Sequence, residues 1–115
     1  MTLQLMPLTD EDLQTARNQS TGMPGVETAA LVPAFVAERA AQMLQAGVAA
    51  AWARPFYILR PGDLLAVGSC GFKQAPQQRR VEIGYAVLAA HQGQGFATAA
   101  VAALLRLAFL SGEPA

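Results

Sequence analysis

Between Val81 and Leu110 the chain passes from a strand pattern through a glycine turn into an apolar helix, and this order constrains the fold more than any other feature. Val81, Ile83, Tyr85 and Val87 alternate with Glu82, Gly84, Ala86 and Leu88, the period of two expected of a strand with two distinct faces. The turn reads His91-Gln92-Gly93-Gln94-Gly95-Phe96-Ala97, and the helix runs from Gly95 to Leu110, with Gly112 as its cap and Pro114 barring continuation. A strand that feeds such a helix has to lay it back on a sheet, so the preceding chain must supply more strands.

It does. The period is alternating at Arg54–Arg60, breaks at the turn Pro61-Gly62-Asp63, and resumes at Leu64–Phe72, an antiparallel hairpin. Gly68 and Gly71 inside the second strand mark a bulge or a close backbone approach. The polar stretch Lys73–Arg80 then leads into Val81–Leu88 as the third strand of a meander. Upstream, Thr2–Leu8 reads as a short strand, and Pro7 puts its end near the sheet edge. Thr9 is the N-cap candidate of a helix, with Asp12 three places on as a partial capping box, Asp10 and Glu11 in the first turn, and Leu8 and Leu13 as a hydrophobic staple. A loop at Thr21–Gly25 precedes a second helical pattern over Thr28–Ala46, whose start Pro33 moves nearer Val32. Leu31, Phe35, Val36, Ala40, Met43 and Leu44 form its apolar face, and Gly47 its C-terminal cap. These elements predict one domain over residues 1–115, with a mixed α/β (α+β) fold: a mostly antiparallel sheet with helices on both faces.

Composition narrows the functions. Of 115 residues, 53% are hydrophobic and 14% charged, with eight of each sign and no net charge. Such a chain can fold a core, and it lacks the positive charge that holds a nucleic-acid backbone. One cysteine and one histidine give no disulfide, no zinc cluster and no expected metal site. There is no secretory pattern, and Phe96–Leu110 is too short to span a bilayer, so a soluble cytoplasmic protein is expected.

Glycines in the turn let backbone N–H groups face outward at the positive end of the following helix, an arrangement suited to a phosphate or diphosphate. A plain strand-to-helix turn is the competing reading. A P-loop needs Gly-Lys-Ser/Thr at the helix start, and the turn has no lysine. A dinucleotide fold would use Gly93 and Gly95, but Thr98 stands where a third glycine is wanted and the acid at the right distance, Glu113, directly follows a helix cap. The third possibility is a coenzyme A diphosphate loop.

The stretch VEIGYAVLAAHQGQGFATAAVAALLRLAF, Val81–Phe109, resembles the acetyl-CoA motif of the GNAT superfamily of N-acetyltransferases. The family pattern Gln/Arg-x-x-Gly-x-Gly/Ala is met by Gln92, Gly95 and Ala97. The order of strand, two helices, three antiparallel strands and loop-helix is similar to that family from residue 1 onward, and the wording Gly-Tyr-Ala-Val and Gly-Phe-Ala-Thr leans to the branch acetylating protein N-termini, ribosomal proteins included. The family continues with a further strand, a helix and a terminal hairpin, whereas this sequence stops at Ala115. The resemblance therefore implies an N-terminal portion, truncated where a tyrosine that protonates the departing thiolate would follow, with an open strand edge that favours a homo-oligomer.

What the resemblance implies for chemistry is direct transfer of acetyl from acetyl-CoA, without a metal, to an amine: a protein N-terminus or a small molecule. Backbone N–H groups of Gln92, Gly93, Gln94, Gly95, Phe96 and Ala97 would hold the diphosphate, with the Thr98 hydroxyl beside them. Val87 and Leu88 would pair with the pantetheine arm, one N–H polarising the thioester carbonyl. Glu82 is the candidate general base, or else an ion-pair partner of Arg54, Arg79 or Arg80. His91 reads as polar surface, Cys70, Tyr57 and Tyr85 as core, Trp52 and Phe56 as packing residues before pocket residues, and Arg79 and Arg80 as a solvated loop. The alternative is a non-catalytic, truncated CoA-binding or oligomerising remnant.

Overall fold

The computed structural model describes residues 3–17, 32–74, 77–78 and 80–110, with backbone only at 109 and 110. The expected loop at Thr21–Gly25, the helix pattern over 28–31, Arg79, Gly112, Glu113 and Pro114 lie outside those residues.

Four strands form one sheet in the order β1 (Gln4–Pro7), β2 (Phe56–Leu59), β3 (Ala66–Phe72), β4 (Ile83–Val87), every neighbouring pair antiparallel. Helices α1 (Asp10–Arg17) and α2 (Ala34–Gln45) cover one face, and α4 (Phe96–Leu110) the other. The two cores follow from the period of β2. Phe56 and Ile58 bury with Trp52, Phe72, Phe96, Ala100 and Leu104, while Tyr57 and Leu59 bury with Leu8, Leu13, Val32, Ala37 and Ala40. Burial lifts the Tyr57 phenol well above its usual range, and the charge of Asp12 adds to the effect.

The register slips between Ile58 and Leu59, leaving Val67 unpaired as a bulge in β3. That slip explains why Val67 and Cys70, three apart, share a core that strict alternation would split. The expected close approach is also there. A Cβ on Gly68 would run into the Ala86 carbonyl oxygen of β4.

Local signals act as read. Thr9 and Asp12 exchange bonds: the Asp12 N–H donates to Thr9 Oγ1 at 3.1 Å, and the Thr9 N–H to Asp12 Oδ2 at 3.0 Å. Gly47, at φ +89°, closes α2 with its N–H on the Leu44 carbonyl at 3.1 Å, and Val48 follows with its N–H on Met43 at 3.0 Å. Pro33 stands just ahead of the first turn of α2, which starts at Ala34 rather than near Val32.

Two expectations about the core are overturned. Its spacing puts Phe35 on the buried face of α2, yet it is 71% exposed. The buried stripe of α2 is Ala37 and Ala40, flanked by Val36 and Leu44, and Phe35 lies beyond its edge over the sheet groove described below. Tyr85 was read as core, yet it is 57% exposed. It shares its face with Ile83 and Val87, but β4 is the outer strand, and among the described residues nothing covers that flank. Between Gly47 and the second strand the chain forms a single helical turn, α3 (Ala50–Ala53), which seats Trp52 edge-on to Phe72 at 4.8 Å. No helix among the described residues is long and apolar enough to cross a membrane.

Candidate functional site

The site forms at the C-terminal end of β4. After Val87 the chain makes a 3-10 turn, Ala89–His91, and then the glycine turn into α4. Gly93 and Gly95 adopt φ +80° and +85°, which L residues rarely take. His91 and Gln92 direct their N–H groups back to Leu88 and Ala89. From Gly93 through Thr98, six consecutive backbone N–H groups have no protein acceptor among the described residues. Phe96 anchors this run: its ring is buried in the α4 core with His91 edge-on to it at 6.4 Å, so the backbone is held while its amides stay open.

The Gln92 side chain donates to the Val87 carbonyl at 2.9 Å, tying the turn to the strand. A cleft of about 480 Å³ opens there, lined by Tyr85, Ala86, Val87, His91, Gln92, Gly93, Gly95, Phe96, Ala97 and Thr98. Six adjacent amides with no acceptor among the described residues, at the start of a 15-residue helix, concentrate positive partial charge beside this cleft. The donors on offer fit a diphosphate without any charged side chain.

The pairing of β3 with β4 fixes which edge groups are free. The Leu88 N–H donates to Val67 at 2.9 Å, and the Glu82 carbonyl accepts from Lys73 at 2.8 Å. Both therefore face inward, and so do Gly84 and Ala86 between them, since backbone polar groups alternate sides along a strand. Ile83, Tyr85 and Val87 direct theirs to the open edge. The sequence reading offered Val87 and Leu88 together as partners for an added strand. The structure leaves the Val87 N–H for that purpose and spends the one on Leu88 within the sheet.

A second groove, of about 340 Å³, lies on the α2 side of the same strands. Phe35, Val36, Arg39, Pro55, Ser69, Phe72, Lys73 and Gly84 are among its walls. Tyr85 and Ala86 line both cavities, so the two meet across β4. Sequence reasoning missed this groove and the place of Tyr85 in it. The only local signal was an aromatic in the last strand before the turn.

Of the residues singled out from sequence, Val87, Gln92, Gly93, Gly95, Phe96, Ala97 and Thr98 come together around the cleft. Gln94 sits at the rim of the turn without lining it. Glu82 is not among them. It is exposed just ahead of β4, accepts from the Gln74 side chain at 3.5 Å, and makes no ion pair among the described residues. Arg54, one of its suggested partners, instead binds Asp10 and the Leu8 carbonyl. Glu82 does share a strand face with Gly84 and Ala86, and so stands at one end of the second groove, about 13 Å along the strand from Ala86. Cys70 is buried, and burial pushes its thiol up to about 12, which rules out an easily formed thiolate. No group of three or more His, Cys, Asp or Glu among the described residues is placed to hold a metal ion.

Residues 2–113 match a family model described as an acetyltransferase (GNAT) domain. Searches of curated proteins and of solved structures returned no match.

Proposed function

The chain belongs to the GNAT acetyltransferase family, and from that premise we propose that it transfers acetyl from acetyl-CoA to a primary amine by direct attack. One observation carries this reading: six amides at the mouth of α4 with no protein acceptor among the described residues lie beside β4, the last strand of the described sheet. The amides of Gly93 to Thr98 bind the diphosphate, with the Thr98 hydroxyl within the same cleft. The pantetheine arm extends β4 as an added strand, using the outward groups of Tyr85 and the N–H of Val87. The Val87 N–H faces the thioester oxygen, where charge develops during attack.

The amine arrives from the α2 groove and meets the thioester at Tyr85 and Ala86, where the cavities join. Its lone pair attacks the carbonyl carbon, and the C–S bond breaks with the electron pair leaving on sulfur. The nitrogen's surplus proton passes along a relay of several waters in the groove to Glu82, the carboxylate on the groove face of the strand about 13 Å away. A thiol ionises near pH 8.5, so coenzyme A departs as thiolate without needing a strong acid. Much of the rate then comes from holding two neutral reactants in register.

Acetyl-CoA at a hundred times its Kd should stabilise the protein by about 2.7 kcal/mol, a clear rise in Tm. Gly95→Ala should lower that affinity about tenfold or more, because the left-handed φ it needs costs about 1–2 kcal/mol and the amides turn with it. No rise in Tm with millimolar acetyl-CoA would overturn the proposal. Glu82→Gln should cut kcat about tenfold to a hundredfold with unchanged acetyl-CoA affinity; an unchanged kcat removes Glu82 from the reaction. Binding without thiol release from any amine would leave a CoA-binding protein and no transferase.

A further inference from the structure

The α2 groove carries information about the acceptor that the glycine turn does not. Its volume of about 340 Å³ is near the lower end for small-molecule sites, enough for a molecule the size of an amino acid. Phe35, Val36 and Phe72 give it an apolar wall, and Phe35 accounts for its own exposure by facing this space instead of the core. The charged residues of the lining are Arg39 and Lys73, and no carboxylate lines it among the described residues.

Among the described residues neither cation is paired with a carboxylate. Arg17, Arg54 and Arg60 pair with Glu38, Asp10 and Asp63, whereas Arg39 and Lys73 have no ion pair among the described residues. Glu38, the neighbour of Arg39 in sequence, is already engaged with Arg17 at 2.7 Å. Arg39 is half-buried, so its guanidinium is partly shielded from water. Lys73 reaches the groove because Gly84 has no side chain: its Cε lies 3.4 Å from where a Cβ on Gly84 would stand, so the stem crosses β4 directly over that glycine. Glu82, opposite Lys73 across the strand pair, stands outside this lining, so within the lining itself two cations beside an apolar wall attract an anion.

We propose that the acceptor is an amino-acid-sized amine that bears a carboxylate and an apolar body, its carboxylate held by Arg39 and Lys73. This rests on the acetyl-transfer reading, and deepens it by naming the acceptor class. Arginine suits the task through its paired donors, which match the two oxygens of a carboxylate. Within the lining, like charge disfavours polyamines and lysine-rich peptides.

The test compares N-acetyl-leucine with N-acetyl-leucinamide by calorimetry on the full chain, with coenzyme A present. The pair differs in the carboxylate alone and removes any difference in amine basicity. Leucine, leucinamide and spermidine are then compared as acceptors by thiol release. The carboxylate forms should be preferred at least tenfold. Arg39→Gln and Lys73→Gln should each reduce that preference severalfold, while the rise in Tm given by acetyl-CoA stays as in the parent protein. Equal binding of the two N-acetyl compounds, a preference for leucinamide or spermidine, or a preference that survives in the double variant overturns the proposal. The two readings fail separately. Acetyl-CoA binding with no carboxylate preference sinks only the acceptor class. An Arg39-dependent affinity for N-acetyl-leucine without any acetyl-CoA binding sinks acetyl transfer and leaves the groove.

Discussion

β3 and β4 lie side by side, and their composition runs opposite to their burial. β3 reads Ala-Val-Gly-Ser-Cys-Gly-Phe, five of its seven residues small, and all but Gly71 are buried. β4 reads Ile-Gly-Tyr-Ala-Val, with three large side chains, and none of its residues is fully buried. Hydropathy would have ranked them the other way. Position in the sheet decides instead: β3 has a strand on each side, while β4 ends the order and faces α4 with one side only. Small residues are what a crowded central strand requires, since the backbone of β4 takes the space a side chain on Gly68 would fill. The large residues of β4 are left over a cleft and a groove, where a ligand can cover them.

The sharpest way to break this contrast is Gly68→Ala. The added methyl would strike a backbone carbonyl that cannot rotate aside, so β4 must shift. A loss of roughly 2–3 kcal/mol, or on the order of 10 °C in Tm, is expected in thermal denaturation. Acetyl-CoA binding should weaken with it, because the turn is tied to Val87. An unchanged Tm would show that the two strands are not so closely apposed.

Adjacent prolines give a finer test. Leu88→Pro removes the N–H that donates to Val67 and should cost about 1–3 kcal/mol. Val87→Pro removes an N–H that faces the open edge, where proline is tolerated, so stability should fall by under about 1 kcal/mol. Its effect should be on catalysis, a loss of about tenfold or more in kcat/KM. If the two variants change places, the assignment of inner and outer edges is reversed.

The smallest effect is alkaline. The Cys70 thiol of β3 is raised from 9.0 to about 12 by burial. A raised pKa means the folded state holds its proton longer than the unfolded chain does. Its share of stability is complete below about pH 9 and is lost as pH climbs from there towards 12. Tyr57, also raised by burial, adds to the decline. Cys70→Ala should flatten the Tm profile between pH 9 and 11, and the native thiol should react slowly with thiol reagents at pH 8. Rapid labelling of the folded protein would mean that β3 is not the closed centre of the sheet.

Much of this molecule was legible residue by residue where the cause is local. Thr9 and Asp12 bond to each other within one turn, Gly47 ends a helix through bonds three and five residues back, and Gly93 and Gly95 need only their own missing side chains to turn the backbone. The seven cleft residues were readable because they are consecutive or nearly so. The α2 groove was not, because it brings together residues as far apart as Pro33 and Ala86. Nothing near Arg39 in sequence distinguishes it from the other polar residues of α2, and Phe35 has the spacing of a core residue.

The amino-acid order by itself determined the elements, the two faces of β2, the glycine turn and the family motif, because period, caps and turns are set by interactions within a few residues. Tertiary structure alone decided that Tyr85 stands exposed on β4, that Val87 rather than Leu88 offers its N–H, and that Arg39 and Lys73 share a groove with Tyr85. Those facts depend on strand order and register, which arise from contacts between distant segments, and no single stretch of the chain encodes them.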